Sequence, residues 1–219
     1  MSQFLWLKRN KDGWLTKEVL LSVTCPIVEE YAAATQELGR MLLWDGYGQP
    51  GATRTANEVR IHKATGELLN GIVLVKQPDA VIDVGSAFGV SAGYLFSKLP
   101  ESSTLYCYEP NAPWAAICRN NLELLKLRSK SKAKYRVYTK PFDFPAWSAD
   151  MVFIDAIHEH DAIVKQLEWA IDTMAFNSLV CVDDVDQPVC RQVFDQFVAN
   201  PKVASALIAH NRLGILELT

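Results

Sequence analysis

The chain has no paired cysteines, no long apolar run and no excess of positive charge, and each absence removes a class of protein. Its five cysteines, at 25, 107, 118, 181 and 190, are odd in number and show no Cys-x-x-Cys spacing. That pattern argues against a disulfide framework and fits buried thiols in a reducing compartment. No apolar stretch reaches the roughly 20 residues that a membrane span needs. The opening Met-Ser-Gln-Phe-Leu-Trp-Leu-Lys-Arg-Asn has too short an apolar run, and too early a charge, for a secretory signal. The expected location is cytoplasmic. A net charge of −3 argues against bulk attachment to nucleic acid or to an anionic membrane. Glycine is also sparse, 11 residues of 219.

What is present suits one core. Hydrophobic residues make up 49% and charged residues 21%, ordinary for a soluble globular domain. Residues 1–55 read as an N-terminal extension or cap. Apolar residues flank Lys8 to Gly13, which suggests a turn or a hairpin over Leu5–Trp14, and Pro26 to Leu43 has helix formers at helical spacing. Asp45 to Gly51 reads as a loop, and Glu58 to Val75 as a further helical stretch. Trp6, Trp14, Trp44 and Tyr47 suit core packing or a partner surface such as a homodimer contact.

Residues 56–219 alternate regularly. Strand-like runs at Ala80–Val84, Thr104–Tyr108, Lys134–Tyr138, Met151–Asp155 and Leu179–Val182 enclose helix-like stretches. Those helices are expected at Ser91–Lys98, Trp114–Leu125, Asp161–Met174 and Pro188–Val198, the last with Asp186 as its cap. Val203–Ala209 and Leu213–Leu218 read as two closing strands around His210-Asn211-Arg212. The expected fold is α/β: a doubly wound, mostly parallel seven-stranded sheet with an antiparallel C-terminal edge.

The chemistry gathers at strand ends. Asp83-Val84-Gly85-Ser86-Ala87-Phe88-Gly89-Val90-Ser91 reads as a strand, a glycine loop and a helix start. Acids end four strands, namely Asp83, Glu109, Asp155 and the pair Asp183-Asp184. In a parallel sheet these ends share one edge, so the carboxylates converge on one cleft. Clustered carboxylates repel unless something cationic or hydrogen-bonding lies between them. Glu109 fits a bidentate grip on ribose hydroxyls, with a solvated turn before Pro110 as the alternative. Asp155, Asp183 and Asp184 offer a hard oxygen site for Mg²⁺ or a similar ion, with capping or plain hydrogen bonding as the alternative. A divalent ion would lower the pKa of a coordinated hydroxyl. His158 can take a hydroxyl proton, and His160 is a competing base. The basic run Lys126 to Lys134 reads as a solvated loop.

The run from Asp83 to Ser91 resembles the first motif of class I S-adenosylmethionine-dependent methyltransferases, and it lacks the third glycine of the dinucleotide fingerprint. Asp150-Met-Val-Phe-Ile-Asp155-Ala-Ile-His158, followed by Val182-Asp183-Asp184-Val185, is similar to metal-dependent O-methyltransferases of the catechol and macrolide-sugar types. The resemblance covers about residues 55 to 219 and implies the Rossmann-like methyltransferase fold. It implies S-adenosylmethionine as donor, bound by Asp83, Gly85, Ser86, Gly89, Ser91, Glu109 and Asp155. The acid or polar side chain that the family often sets beside the adenine is not obvious here, Asp143 being the candidate and Phe142 the alternative that could pack on the ring. It implies Asp155 and His158 as catalytic residues, His158 standing where the family keeps a base. It also implies Mg²⁺ on Asp155, Asp183 and Asp184, and a small hydroxylated acceptor. Where the family has paired glycines before the fifth strand, this chain has Ala175-Phe176-Asn177-Ser178, and Asn177 can supply a positive φ. Two other readings stand beside it: a metal-independent methyltransferase, and a non-catalytic S-adenosylmethionine-binding or interaction protein. No Asn/Asp-Pro-Pro-aromatic signature follows the fourth strand, so base methylation of nucleic acid is not implied.

Overall fold

A computed structural model describes residues 22–219. The turn or hairpin expected over Leu5–Trp14, with Trp6 and Trp14, lies outside the described residues. The described elements run α1 (Pro26–Gln36), β1 (Met41–Leu42), β2 (Thr53–Arg54), α2 (Ala56–Val59), α3 (Lys63–Lys76), β3 (Ala80–Val84) and α4 (Val90–Phe96). They continue with β4 (Thr104–Tyr108), α5 (Ala112–Ser129), β5 (Lys134–Tyr138), β6 (Met151–Ile154), α6 (His160–Thr173) and β7 (Leu179–Val182). The chain closes with α7 (Pro188–Val198), β8 (Val203–Ala209) and β9 (Leu213–Leu218). Among the described residues no helix is long and apolar enough to cross a membrane.

The main sheet has seven strands in the order β5-β4-β3-β6-β7-β9-β8. Strands β3 to β7 pair in parallel, while β9 runs antiparallel to both β7 and β8. This is the doubly wound sheet with an antiparallel edge that the alternation implied. Every residue of β6 and β7 is buried, as expected of parallel strands covered on both faces. Side-chain alternation splits the core into two layers. Val81, Leu105, Met151 and Phe153 pack toward α1, α3, α4 and α5. Ile82, Val84, Val152 and Ile154 pack toward α6 and α7.

The winding starts at β3 in mid-sheet, runs outward to β5 and then returns to β6 on the other side of β3. A crevice opens at such a reversal, beyond the carboxyl ends of the two strands, because their loops diverge onto opposite faces. Here it lies between the loops after β3 and β6.

Several expected boundaries move. The helical stretch expected over Pro26 to Leu43 ends at Gln36, and Gly39, at φ +70°, turns the chain into the short β1–β2 pairing. The stretch expected over Glu58 to Val75 is two helices broken at Arg60, whose backbone is extended. A capping box between Thr55 and Glu58 starts the first of them, so Glu58 serves helix initiation. Helix α5 runs on to Ser129 and takes in Lys126 and Arg128, cations suited to the negative end of the helix dipole. Gln187, not Asp186, holds the cap position of α7, and no side chain caps it. Asn177 does adopt a positive φ, +66°.

Helix α1 is tied to the glycine loop. The buried Tyr31 hydroxyl donates to the Gly89 carbonyl at 2.8 Å. It fits there because residue 93 is glycine; a Cβ at that position would stand 1.6 Å from the hydroxyl. Tyr31→Phe leaves that carbonyl without its donor and should lower stability by about 1–2 kcal/mol in urea unfolding. An unchanged midpoint would show that the contact contributes nothing.

Candidate active site

The loop after β3 carries two glycines in the left-handed region, Gly85 at φ +89° and Gly89 at φ +86°. Gly85 meets the loop after β6: a Cβ there would lie 1.9 Å from the Asp155 carbonyl oxygen. Only glycine allows this approach. The Gly85 and Ser86 N–H groups both donate to the Tyr108 carbonyl, at 3.0 and 3.2 Å, which anchors the loop to the end of β4.

Asp83 lies fully buried beneath the loop and accepts a hydrogen bond from the Ser91 hydroxyl at 3.0 Å. Its second carboxylate oxygen has no hydrogen-bond partner among the described residues. Burial pushes its pKa up to about 7, against the Ser86 and Ser91 hydroxyls that favour the charged form. Ser86 also donates to the Asp83 carbonyl, at 3.1 Å. Glu109 is buried as well, so the solvated-turn alternative is corrected. One of its oxygens accepts from the Ala87 N–H at 2.9 Å and the other from the Asn111 N–H at 2.8 Å. Burial outweighs these two bonds and raises its carboxyl to about 7.

The crevice holds a cavity of about 370 Å³ lined by Tyr47, Arg60, Glu109, Asp155, His158 and Arg212, among others. A much smaller pocket bounded by Gly85, Ser86, Ser91 and Asp155 adjoins it. His158 Nε2 stands 3.6 Å from Asp155 and 3.3 Å from Asp184. The hydrogen bond that His158 donates to Asp155 and the charges of the surrounding acids outweigh burial and raise the His158 pKa above its ordinary value. Burial, then the Asp155 charge, pushes Asp183 up to about 7, and the same two causes raise Asp184.

The expected magnesium set does not assemble. Ligand atoms of Asp155, His158 and Asp184 lie within 4.8 Å of one another, but Asp183 is not among them. Asp183 instead accepts hydrogen bonds from Arg212, at 3.2 Å from Nε and 3.4 Å from Nη2. The same guanidinium forms an ion pair with Asp184, whose other oxygen accepts from Gln187 at 2.7 Å. Mg²⁺ demands near-octahedral oxygen coordination. Here a fixed organic cation fills the acid pair, and one of the three converging donors is an imidazole nitrogen. These residues do not fit Mg²⁺.

Other expected residues lie elsewhere. Phe142 packs against Tyr108, Phe144 and Trp169, and Asp143 pairs with Lys140; neither lines the cavity. His160 sits at the start of α6, exposed, with Asp161 at 3.0 Å. Arg212 was missed as a site residue, although it is the one cation in the turn between the closing strands. Tyr47 lines the cavity.

The doubly wound seven-stranded sheet, with a glycine loop at its switch point and a buried acid after the next strand, is the fold of the solved methyltransferases to which the chain is similar. Residues 82–185 match a family model described as a methyltransferase domain. No curated protein matches the chain. Among solved structures, a methyltransferase from Geobacter sulfurreducens superposes with a TM-score of 0.66 at 16% identity, over 91% of this chain and 92% of that one. An O-methyltransferase from Bacillus cereus in complex with SAH gives 0.64 at 16% identity, over 90% and 91%. The O-methyltransferase TomG from Streptomyces achromogenes, involved in tomaymycin synthesis and in complex with SAM, gives 0.61 at 17% identity, over 91% and 92%.

The buried acids make stability depend on pH. The Glu109 carboxyl, at about 7 in the folded state, lies above its unfolded value. Its contribution is therefore complete below the ordinary carboxylate range and is lost as pH rises toward 7. The urea midpoint should fall between about pH 5 and about pH 8, and Glu109→Gln should reduce that fall by on the order of 3 kcal/mol. Parallel pH profiles of wild type and variant would contradict this.

Proposed function

We propose that this protein transfers a methyl group from S-adenosylmethionine to a hydroxyl oxygen of a small molecule, with His158 as the base. The carrying observation is that one crevice joins the Glu109 carboxylate, the glycine-loop backbone and an imidazole set between two acids. A carboxylate has about four acceptor positions, and backbone donors use two of those on Glu109, which leaves capacity for two ribose hydroxyls. The small pocket beside Gly85, Ser86 and Ser91 suits the methionine end of the donor. The SAH and SAM held by the Bacillus and Streptomyces structures support the same donor here. Leu43, Tyr47, Gln49 and Arg54 line the cavity from the N-terminal segment, which supports reading residues up to about 55 as a cap on the acceptor side.

Chemically, His158 removes the acceptor's hydroxyl proton at Nδ1, the ring nitrogen opposite the Nε2 that faces Asp155 and Asp184, as the oxygen attacks the sulfonium methyl. The C–S bond breaks, its electron pair stays on sulfur, and a neutral thioether leaves. The positive charge lost from sulfur reappears on His158, where Asp155 and Asp184 stabilise it. Holding donor and acceptor in line contributes the rest of the acceleration. No step needs a divalent ion. The Mg²⁺ expected from the resemblance has no suitable ligand set, which favours the metal-independent form of the reaction.

Calorimetry with S-adenosylmethionine is the first test, and absence of binding would sink the reading. Near neutral pH, binding should release protons, because Glu109, raised to about 7, must ionise to accept ribose hydroxyls. His158→Gln should retain donor affinity while turnover on a panel of hydroxylated aromatics and sugars falls by about 10²–10⁴-fold. Since the base must be neutral, kcat/KM should rise with pH through a midpoint above the ordinary histidine value. Asp155→Asn should move that midpoint down; a midpoint left unmoved would remove Asp155 from this role.

A further inference from the structure

We propose that Arg212 is the resident cation of the acid cluster and balances the charge that a divalent ion would otherwise balance, so that the working cleft binds no such ion. The inference rests on the methyltransferase reading of the same cleft.

Three acids, Asp155, Asp183 and Asp184, stand at two neighbouring strand ends, and the Asp183 side chain is wholly buried. Uncompensated carboxylates at such depth carry a large desolvation cost, so a counter-charge is required. Arg212 supplies it to several acids at once: Asp183 through two hydrogen bonds, Asp184 through an ion pair, and the rim residue Asp186 at 3.9 Å. An arginine keeps its charge at any working pH, and its planar fork serves several oxygens together.

The backbone fixes the arrangement. Val182 on β7 is registered opposite Gly214 on β9, which brings residue 212 alongside Asp183 and Asp184. The Val185 N–H donates to the Arg212 carbonyl at 2.9 Å, and the Arg212 N–H donates to the Ala209 carbonyl at 3.0 Å. His210 and Asn211 both take left-handed conformations to form the turn that presents it. A divalent ion would have to displace a guanidinium whose side chain is only 20% exposed. It would also have to break the Gln187 hydrogen bond to Asp184, and would gain one nitrogen and two carboxylates.

The test uses the full chain and Mn²⁺ alone as probe, followed by calorimetry and electron paramagnetic resonance, with thermal melts in Mn²⁺ and in EDTA. Wild type should show no saturable binding, and its melting temperature should be the same in both additives. Arg212→Gln should melt lower, recover part of that loss with Mn²⁺, and bind the ion at least about tenfold more tightly than wild type. One Mn²⁺ per wild-type chain at micromolar concentration would overturn the proposal. So would an Arg212→Gln protein that melts like wild type and gains no affinity. If Arg212→Gln does not fold, the wild-type titration decides alone. A parallel titration with S-adenosylmethionine keeps the two claims apart: donor binding together with tight Mn²⁺ binding removes the arginine proposal and leaves the methyltransferase reading intact.

Discussion

The contact on which the rest depends is the approach of Gly85 to the Asp155 carbonyl, too close for any side chain. It joins the loops after β3 and β6 at the point where the sheet reverses its winding. Because the loops meet there, Glu109, Asp155 and Asp184 face one cavity, while Asp83 lies buried beneath the glycine loop and Asp183 against Arg212. Glu109 is held by the N–H of Ala87 within that same loop. Tyr31 braces the loop's far end through Gly89. A substitution at either end would therefore disturb the cleft before it disturbed the layers of the core.

Crowding so many acids around one crevice creates an electrostatic problem that the protein solves in two ways. Asp83 and Glu109 are raised to about 7 by burial, so each spends part of its time neutral near physiological pH. Around Asp183 and Asp184 the answer is Arg212, with His158 set against Asp155 and Asp184. The result separates the cleft into a side held by backbone N–H groups and an opposite side balanced by protein cations. The sulfonium donor proposed above would suit such a place, because it would bring positive charge to the acids and lose it in the proposed reaction.

Much of this was readable from the residues in order. Buried parallel strands are near-continuous apolar runs, so β3, β4, β6 and β7 stand where those runs stand, with acids at their ends, whereas β5 is a half-exposed edge strand read from its alternation. The two closing strands and the positive φ of Asn177 were equally legible. The β1–β2 pairing was not, because strands of two residues carry no periodic signal. Nor was the break at Arg60, since Glu58 looks like any helix former until it closes a capping box with Thr55. Phe142 was a candidate adenine contact in the sequence, but its ring packs on Trp169 and Tyr108.

By itself the sequence determined the layers, the strand-end acids and the glycine loop, because these follow from local periodicity and from the conformations glycine alone adopts. Only the tertiary structure decided what balances the acids. Arg212 lies 29 residues from Asp183 in the chain and reaches it through the antiparallel register of β9 on β7. Strand register is set by packing across the whole sheet, so no local pattern around Asp183 or Arg212 announces the pair.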